Sequence, residues 1–441
     1  MDRIAILGSG MAGFGAAHRF HTEGHRAILY EKRPYHGGHT ASYAFDNGFT
    51  IDEGPHVSFT QVERIQKLLA ESVDQKFERL RTKVNNHWKG HWIKHPAQCN
   101  LHGLPQDLIV DILKDFIHAQ HNEFGEIKNY QDWLYASFGK SFAETFPMEY
   151  TVKYHTTTAS NMSTDWVGPR LYRAKIEEVL RGALSPSTPD VHYIDQFRYP
   201  SHGGFVSYLQ MFMKQADLQA DHDLIEIVPK GKELHFKNGK VSSYDHLVSS
   251  VALPDLVRMI SGVPFEVLEA SQRLACSTAV IVSVGVNRAD LIDAHWTYFY
   301  DRDYFFTRLS TPHLQSPQNV PEGCGSIQAE CYYSPKYRPL DRKPDDCIKP
   351  VIADLKRCGI LREDDKILFT HSMLIPYANV IFDLDRASAL KTVHGYLDDI
   401  DIAYCGRYGD WAYIWTDESF MSGENAAQKV LDRLGRKAGS A

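Results

Sequence analysis

The chain has 441 residues, well past the size at which one hydrophobic core usually stops growing, so two or more lobes are expected. With 43% hydrophobic, 12% aromatic and 23% charged residues, it has an ordinary globular composition with aromatics enough to line a ligand cleft. A formal charge of −7, from 48 basic and 55 acidic residues, gives no basic footprint for nucleic acid, and no run of about 18 apolar residues marks a membrane span.

Strand Arg3-Ile4-Ala5-Ile6-Leu7 opens the chain with no basic and apolar leader before it. It meets Gly8-Ser9-Gly10-Met11-Ala12-Gly13 and then an alanine-rich helical stretch through Phe20, which is a strand, a tight turn and a helix. The spacing suits a dinucleotide: Gly8 permits the turn, Gly10 lets backbone reach a pyrophosphate, and Gly13 lets helix and strand pack. The helix N-terminus favours the anion. The next strand, Ala27-Ile28-Leu29-Tyr30, ends in Glu31, eighteen positions beyond Gly13, where a carboxylate can bind ribose hydroxyls.

Next come Lys32, Gly37-Gly38-His39 and the loop Asp52-Glu53-Gly54-Pro55-His56. A glycine pair soon after the ribose acid, followed by a G-P-H loop, resembles the FAD-dependent superfamily of amine oxidases, protoporphyrinogen oxidases and UDP-galactopyranose mutases. The later segments are most similar to the mutase branch. Gly54-Pro55-His56-Val57-Ser58-Phe59-Thr60 resembles the histidine loop that faces the flavin there, and Trp88 to Ile93 resembles the strand pair that follows it.

Residues from about Leu108 to Leu184 read as mainly helical, a cap inserted between strands of the cofactor domain. Within the cap, Asp165 to Arg170 resembles the segment that brings an arginine near flavin and substrate phosphate, although Arg170 equally suits a solvated ion pair. The mutases' tryptophan-glycine segment near the nucleotide base is missing, and Lys153-Tyr154-His155-Thr156-Thr157-Thr158 stands in its place. Tyr199-Pro200-Ser201-His202-Gly203-Gly204-Phe205 matches the family turn that returns the chain to the cofactor domain. Leu234 to Val241 is a hairpin through Asn238-Gly239, and Tyr244 to Val251 is a buried strand.

Between about Thr278 and Ser334, alternating segments such as Ala279 to Val284 and Ser326 to Glu330 predict a substrate-domain sheet. Its run Trp296 to Tyr300 and Tyr304 to Arg308 resembles the region where tyrosines and an arginine hold a diphosphate, though an aromatic stripe on a strand is more often core than ligand-lining. Ile375 to Asp383 resembles the segment that places a tyrosine near the substrate. Gly406-Arg407-Tyr408-Gly409-Asp410-Trp411-Ala412, before a helix from about Asp417, resembles the turn that closes over the FAD pyrophosphate.

These readings predict an α/β fold: a two-dinucleotide-binding-domain, Rossmann-like FAD fold with an inserted helical cap and a substrate-domain β-sheet. The expected division is 1–85 and 201–275 for the first two parts of the FAD domain, 86–200 for the strand pair and cap, 276–395 for the substrate sheet, and 396–441 for the C-terminal FAD segment. The resemblance implies FAD binding by Gly8, Gly10, Met11, Ala12, Gly13, Glu31, Lys32, Gly38, His39, Gly54, Pro55 and His56, and by Gly406, Arg407, Asp410, Trp411 and Ala412. It implies catalytic roles for His56, Arg170 and Arg308, and substrate contacts from Arg170, Tyr304, Arg308, Tyr332 and Tyr377.

The activity so implied interconverts pyranose and furanose forms of a nucleotide-linked sugar, with reduced flavin N5 attacking the anomeric carbon. Two rivals stand beside it: an oxidoreductase that takes hydride from an amine, a carbon–carbon bond or a porphyrinogen-like ring, and a flavoprotein without catalysis. Scattered cysteines, seven in number and never in a C-x-x-C pair, fit reduced thiols and a cytoplasmic protein. No metal is expected, because the histidine groups lack carboxylate or thiolate partners at ligand spacing. The sequence points to a small-molecule partner and leaves the oligomeric state open.

Overall fold

Strand Ile4–Leu7 is buried at all four residues, as a strand central to a parallel sheet must be. The computed structural model, which describes residues 2–121, 125–168, 171–191 and 194–439, places it third in a five-stranded sheet. The order is Ile402–Tyr404, His246–Ser249, Ile4–Leu7, Ala27–Tyr30 and Asp217–Gln219, with every pairing parallel. The start, middle and end of the chain thus meet in one sheet. Helix Met11–Thr22 crosses helix Thr416–Gly439 closely, because a Cβ at Gly423 would stand 1.9 Å from the Ala12 carbonyl oxygen. The hairpin expected around Asn238-Gly239 is present, joining Glu233–Phe236 to Val241–Ser243.

A second sheet has seven strands, ordered Ile367–Val380, Cys276–Val286, Gly325–Tyr333, Arg308–Ser310, Trp296–Phe299, Val84–Trp88 and His91–Lys94. The hairpin Val84 to Lys94, grouped with the cap in the sequence reading, extends this sheet through a parallel pairing with Trp296–Phe299. Strand side chains alternate between faces. On one face Val280, Val282 and Val284 pack with Phe299, Phe306 and Leu355. On the other, Ala279, Ile281 and Ile375 pack with Tyr332 and with Tyr154 of the cap.

The cap comprises helices Gln106–His121, Tyr130–Phe138, Lys140–Thr145, Pro147–Tyr154 and Ile176–Leu184. Local signals set its boundaries: the Asn129 side chain caps the second helix by accepting from the Asp132 N–H at 3.0 Å, and Pro147 opens the fourth with its fixed φ. Helix Pro147–Tyr154 lies over the second sheet, and the i, i+4 pair Tyr150 and Tyr154 presents two rings on one side of it. No helix among the described residues is long and apolar enough to cross a membrane. All seven cysteines are free.

Candidate active site

The N-terminal turn follows directly from the first strand. Gly8 N–H donates to the Tyr30 carbonyl at 2.9 Å, and Gly37 N–H donates to the Ser9 carbonyl at 2.9 Å, so the two glycine loops are tied together. A Cβ built on Gly10 would meet only Gly37 O and the Gly38 Cα, each at 3.8 Å, so it would fill open space at the start of helix Met11–Thr22 rather than strike a wall. Gly406 closes the third side: its φ is +76° and a Cβ there would stand 2.6 Å from the Ala12 Cβ. This backbone-lined recess at a helix N-terminus fits an anion such as a dinucleotide pyrophosphate.

Glu31 is buried at the edge of the recess. Its Oε2 accepts from the Ser9 N–H at 3.0 Å and the Ser9 hydroxyl at 2.7 Å, and its Oε1 from the Arg33 N–H at 3.0 Å. Lys32 is exposed. His39 lies 3.4 Å from the Glu53 carboxylate and 5.0 Å, centroid to centroid, from the Tyr408 ring. Glu53 also accepts from Arg33 at 2.6 Å and from the Tyr43 hydroxyl at 2.6 Å. Burial alone would raise its pKa, but hydrogen bonds and charge from His39 and Arg33 win and hold it at about 2.

The adjacent carboxyl goes the other way. Asp52 is fully enclosed, and burial pushes it up to about 6 although Ser42, the Phe205 N–H and Tyr199 all donate to it. Gln328 of the second sheet donates to the Asp52 carbonyl at 2.9 Å, so this residue fastens the loop Gly54-Pro55-His56 between the two sheets. Burial lowers the His56 pKa to about 4. The neutral ring donates from Nδ1 to the Gly54 carbonyl at 2.9 Å, which leaves Nε2 as a lone-pair acceptor.

On the C-terminal side, Arg407 donates to the Ile414 carbonyl at 2.9 Å and to Asn379 at 3.2 Å, with its guanidinium 5.2 Å from the Tyr413 ring centre. Asp410 and Gly406 both bond to the Ser422 hydroxyl, which pins the turn to the final helix. Ala412 N–H bonds to the Arg407 carbonyl at 3.0 Å. Trp411 is wholly buried and packs against Tyr377 and Tyr408, so its indole is part of the core beneath the turn.

From Arg407 the contacts run on to the second sheet. Tyr413 and Tyr154 meet hydroxyl to hydroxyl at 3.2 Å, and Arg308 lies 5.8 Å over the Tyr154 ring. Tyr150, Tyr298 and Tyr332 complete a tyrosine wall around this arginine. Strand register explains the grouping: Arg308 faces Tyr298 on one neighbour and Glu330 on the other, and Tyr332 lies two residues along on the same face. Glu330 is 1% exposed and accepts from Arg308 Nε at 2.6 Å and Nη2 at 2.8 Å, while Tyr332 donates to the same carboxylate. Burial opposes the guanidinium charge, but Glu330 outweighs it and raises the Arg308 pKa well above its usual value.

Not every expected residue joins this wall. Tyr304 packs with Phe299 and Phe306 on the opposite face of the sheet, with Arg357 stacked on its ring at 3.9 Å. Tyr377 donates to Asp255 at 2.8 Å, directed at the Leu253–Met259 helix rather than at Arg308. Arg170 lies outside the described residues. Sequence reasoning named Glu330 only as the end of a strand; its signal was a carboxylate in an otherwise apolar, alternating run, in register with the arginine of the neighbouring strand.

Comparison with known proteins supports the fold. The NAD(P)-binding Rossmann-like domain family matches residues 6–72. The structure of a reduced UDP-galactopyranose mutase superposes with a TM-score of 0.91 at 27% identity, covering 98% of this chain and 96% of that one. Cyclohexylamine oxidase from Brevibacterium oxydans superposes at 0.70 with 11% identity, over 98% of this chain and 99% of that one, which is a likeness of fold. Among curated sequences, a zeta-carotene desaturase of Zea mays is 31% identical over 128 residues, 27% of this chain; the match spans only 22% of that relative's length. The chain therefore has the fold of the FAD-dependent oxidoreductase and mutase superfamily and, over nearly its whole length, resembles the UDP-galactopyranose mutase branch.

Proposed function

We propose that this protein binds FAD and, with the cofactor reduced, interconverts the pyranose and furanose forms of a nucleotide-linked sugar. The observation that carries the reading is the Arg308–Glu330 pair set in a wall of tyrosines, joined through Tyr154 and Tyr413 to the arginine of the cofactor turn. The likeness to a UDP-galactopyranose mutase over 98% of the chain supports it.

The recess at Gly8, Gly10 and the first residues of the helix, Met11, Ala12 and Gly13, would take the pyrophosphate, with Gly38 and Gly406 closing over it. Glu31 would hold ribose hydroxyls, with Lys32 and His39 beside it. Arg407, Asp410, Trp411 and Ala412 would shape the C-terminal side of the same site. Bound FAD supplies electron-pair and hydride chemistry for which no side chain here is equipped.

The protein's own part is to hold and orient. Glu330 takes one N–H each from Nε and Nη2 of Arg308, so both N–H groups of Nη1 and the second of Nη2 are left for a phosphate oxygen. Tyrosine faces and hydroxyls suit a sugar ring, which is apolar on its faces and polar at its rim. Gly54, Pro55 and neutral His56 would bound the reacting side and present a lone pair without adding charge. Tyr332 would keep the Glu330 carboxylate turned to Arg308.

A second reading, hydride transfer from substrate to FAD in the manner of an oxidoreductase, is favoured by one observation: the curated relatives matched over part of the chain include desaturases. One experiment separates the two. Dithionite-reduced enzyme is incubated with UDP-galactopyranose and other sugar nucleotides, and ring size is read by NMR. Furanose formed only by reduced enzyme supports the mutase; bleaching of oxidised flavin by an amine or polyene, without isomerisation, transfers the protein to the oxidoreductases.

A further inference from the structure

Among the described residues, two buried polar atoms at the tyrosine wall have no hydrogen-bond partner: the Tyr150 hydroxyl, within the wall, and Nδ1 of His155, next along the chain from Tyr154. His155 is 4% exposed. Its ring stands edge-on to Tyr154 at 4.8 Å and tilted against Trp166 at 5.2 Å, centroid to centroid. Tyr154 is also the ring beneath Arg308 and the hydroxyl partner of Tyr413. His155 is therefore one aromatic ring away from the Arg308 cation. A buried imidazole nitrogen without a partner is costly, and such atoms call for a functional explanation.

The backbone at the same place is independently unusual. Thr156 has a φ of +61°, a left-handed conformation that a β-branched residue resists. Glycine would leave helix Pro147–Tyr154 here without strain. Instead the Thr156 hydroxyl bonds to the His155 carbonyl at 2.6 Å and to Ser334 at 2.7 Å, which fixes the peptide that carries the imidazole. Burial lowers the His155 pKa to about 3, so at neutral pH the ring has one N–H and one lone pair and no charge to offer a phosphate.

The geometry points to His155 as a specificity-determining residue that hydrogen-bonds an uncharged group of the substrate, a hydroxyl or an amide-type edge, beside the anion held at Arg308. This rests on the sugar-nucleotide reading above. The group belongs either to the nucleoside or to the sugar, and the same experiment tells them apart.

The FAD-loaded wild type, His155→Phe and His155→Gln are titrated calorimetrically with UDP, galactose 1-phosphate and inorganic pyrophosphate. We expect His155→Phe to bind pyrophosphate as the wild type does and to lose about tenfold in affinity for one organic ligand, the scale of one neutral hydrogen bond, with most of it recovered in His155→Gln. Loss confined to UDP assigns the nucleoside; loss confined to galactose 1-phosphate assigns the sugar. An equal loss for all three ligands, which a merely structural role would give, or no loss for any, overturns the inference. If His155→Phe is unfolded by circular dichroism, His155→Leu takes its place under the same criteria. A wild type that binds none of the three removes the sugar-nucleotide reading and the inference together, whereas normal binding unaltered in the variants removes the inference alone.

Discussion

The two halves of the candidate site are built from different material. The cofactor recess is backbone: Gly10, Gly38 and Gly406 bring three turns together and contribute amides, space and a helix N-terminus. The proposed substrate wall is side chain: Arg308, Glu330 and tyrosines from a cap helix, two strands of the second sheet and the C-terminal turn. A backbone site tolerates almost no added atoms but little depends on its side-chain chemistry, whereas a side-chain site depends on the identity and charge of each member.

The strongest way to break the comparison is to put side chain where backbone belongs. Gly10→Val adds atoms in open space, so the protein should fold with an unchanged circular dichroism spectrum yet leave gel filtration colourless, having lost its cofactor. Retained flavin in that variant would show that the recess is not where the pyrophosphate lies.

In the wall, the corresponding change removes a charge. Glu330→Ala leaves the half-buried Arg308 guanidinium with its main counter-charge gone, and stability should fall by about 2–3 kcal/mol in urea unfolding. Replacing both partners by methionine should return most of that loss and, on the proposed function, abolish substrate binding. If the double variant is as unstable as the single one, the wall owes its order to the ion pair itself.

The same contrast explains what could be read in advance. The recess follows from spacing along short stretches: Gly8 to Gly13, Glu31, Gly37-Gly38 and Gly406-Arg407 are local signals, and a turn's geometry is written in adjacent residues. The wall depends on register between strands far apart in sequence. Tyr304 and Arg308 stand four residues apart, yet an irregular stretch between them puts Tyr304 on the opposite face. Tyr150 and Tyr154 join the wall because one particular helix of the cap lies over the sheet, a packing that periodicity alone does not fix.

Between recess and wall, Asp52 and Glu53 offer a smaller and more graded test, since neighbours in sequence titrate with opposite sign. Asp52 is raised in the folded protein, so the native state holds its proton where the unfolded chain has released it; from about pH 4 to 6 stability should fall as pH rises, by about 1.4 kcal/mol per unit. Glu53 is depressed to about 2, so its contribution is present above about pH 4.5 and lost as pH drops toward 2. Asp52→Asn should flatten the first slope and leave the second. A stability profile unaltered between pH 4 and 6 in that variant would mean that Asp52 ionises in the native state as it does in the unfolded chain.

The smallest expected effect decides where the wall ends. Tyr377 belongs with the wall by resemblance, but its hydroxyl is bound to Asp255 and its ring packs on Tyr408 and Trp411. Removing that hydroxyl leaves Asp255 its second neighbour, Arg258, so Tyr377→Phe should cost about 1 kcal/mol of stability, the net worth of one hydrogen bond, with KM unchanged. A rise in KM at unchanged stability would mean that Tyr377 turns from Asp255 to the substrate when the cleft is filled. The wall would then be assembled partly by its ligand, and the recess alone would be preformed.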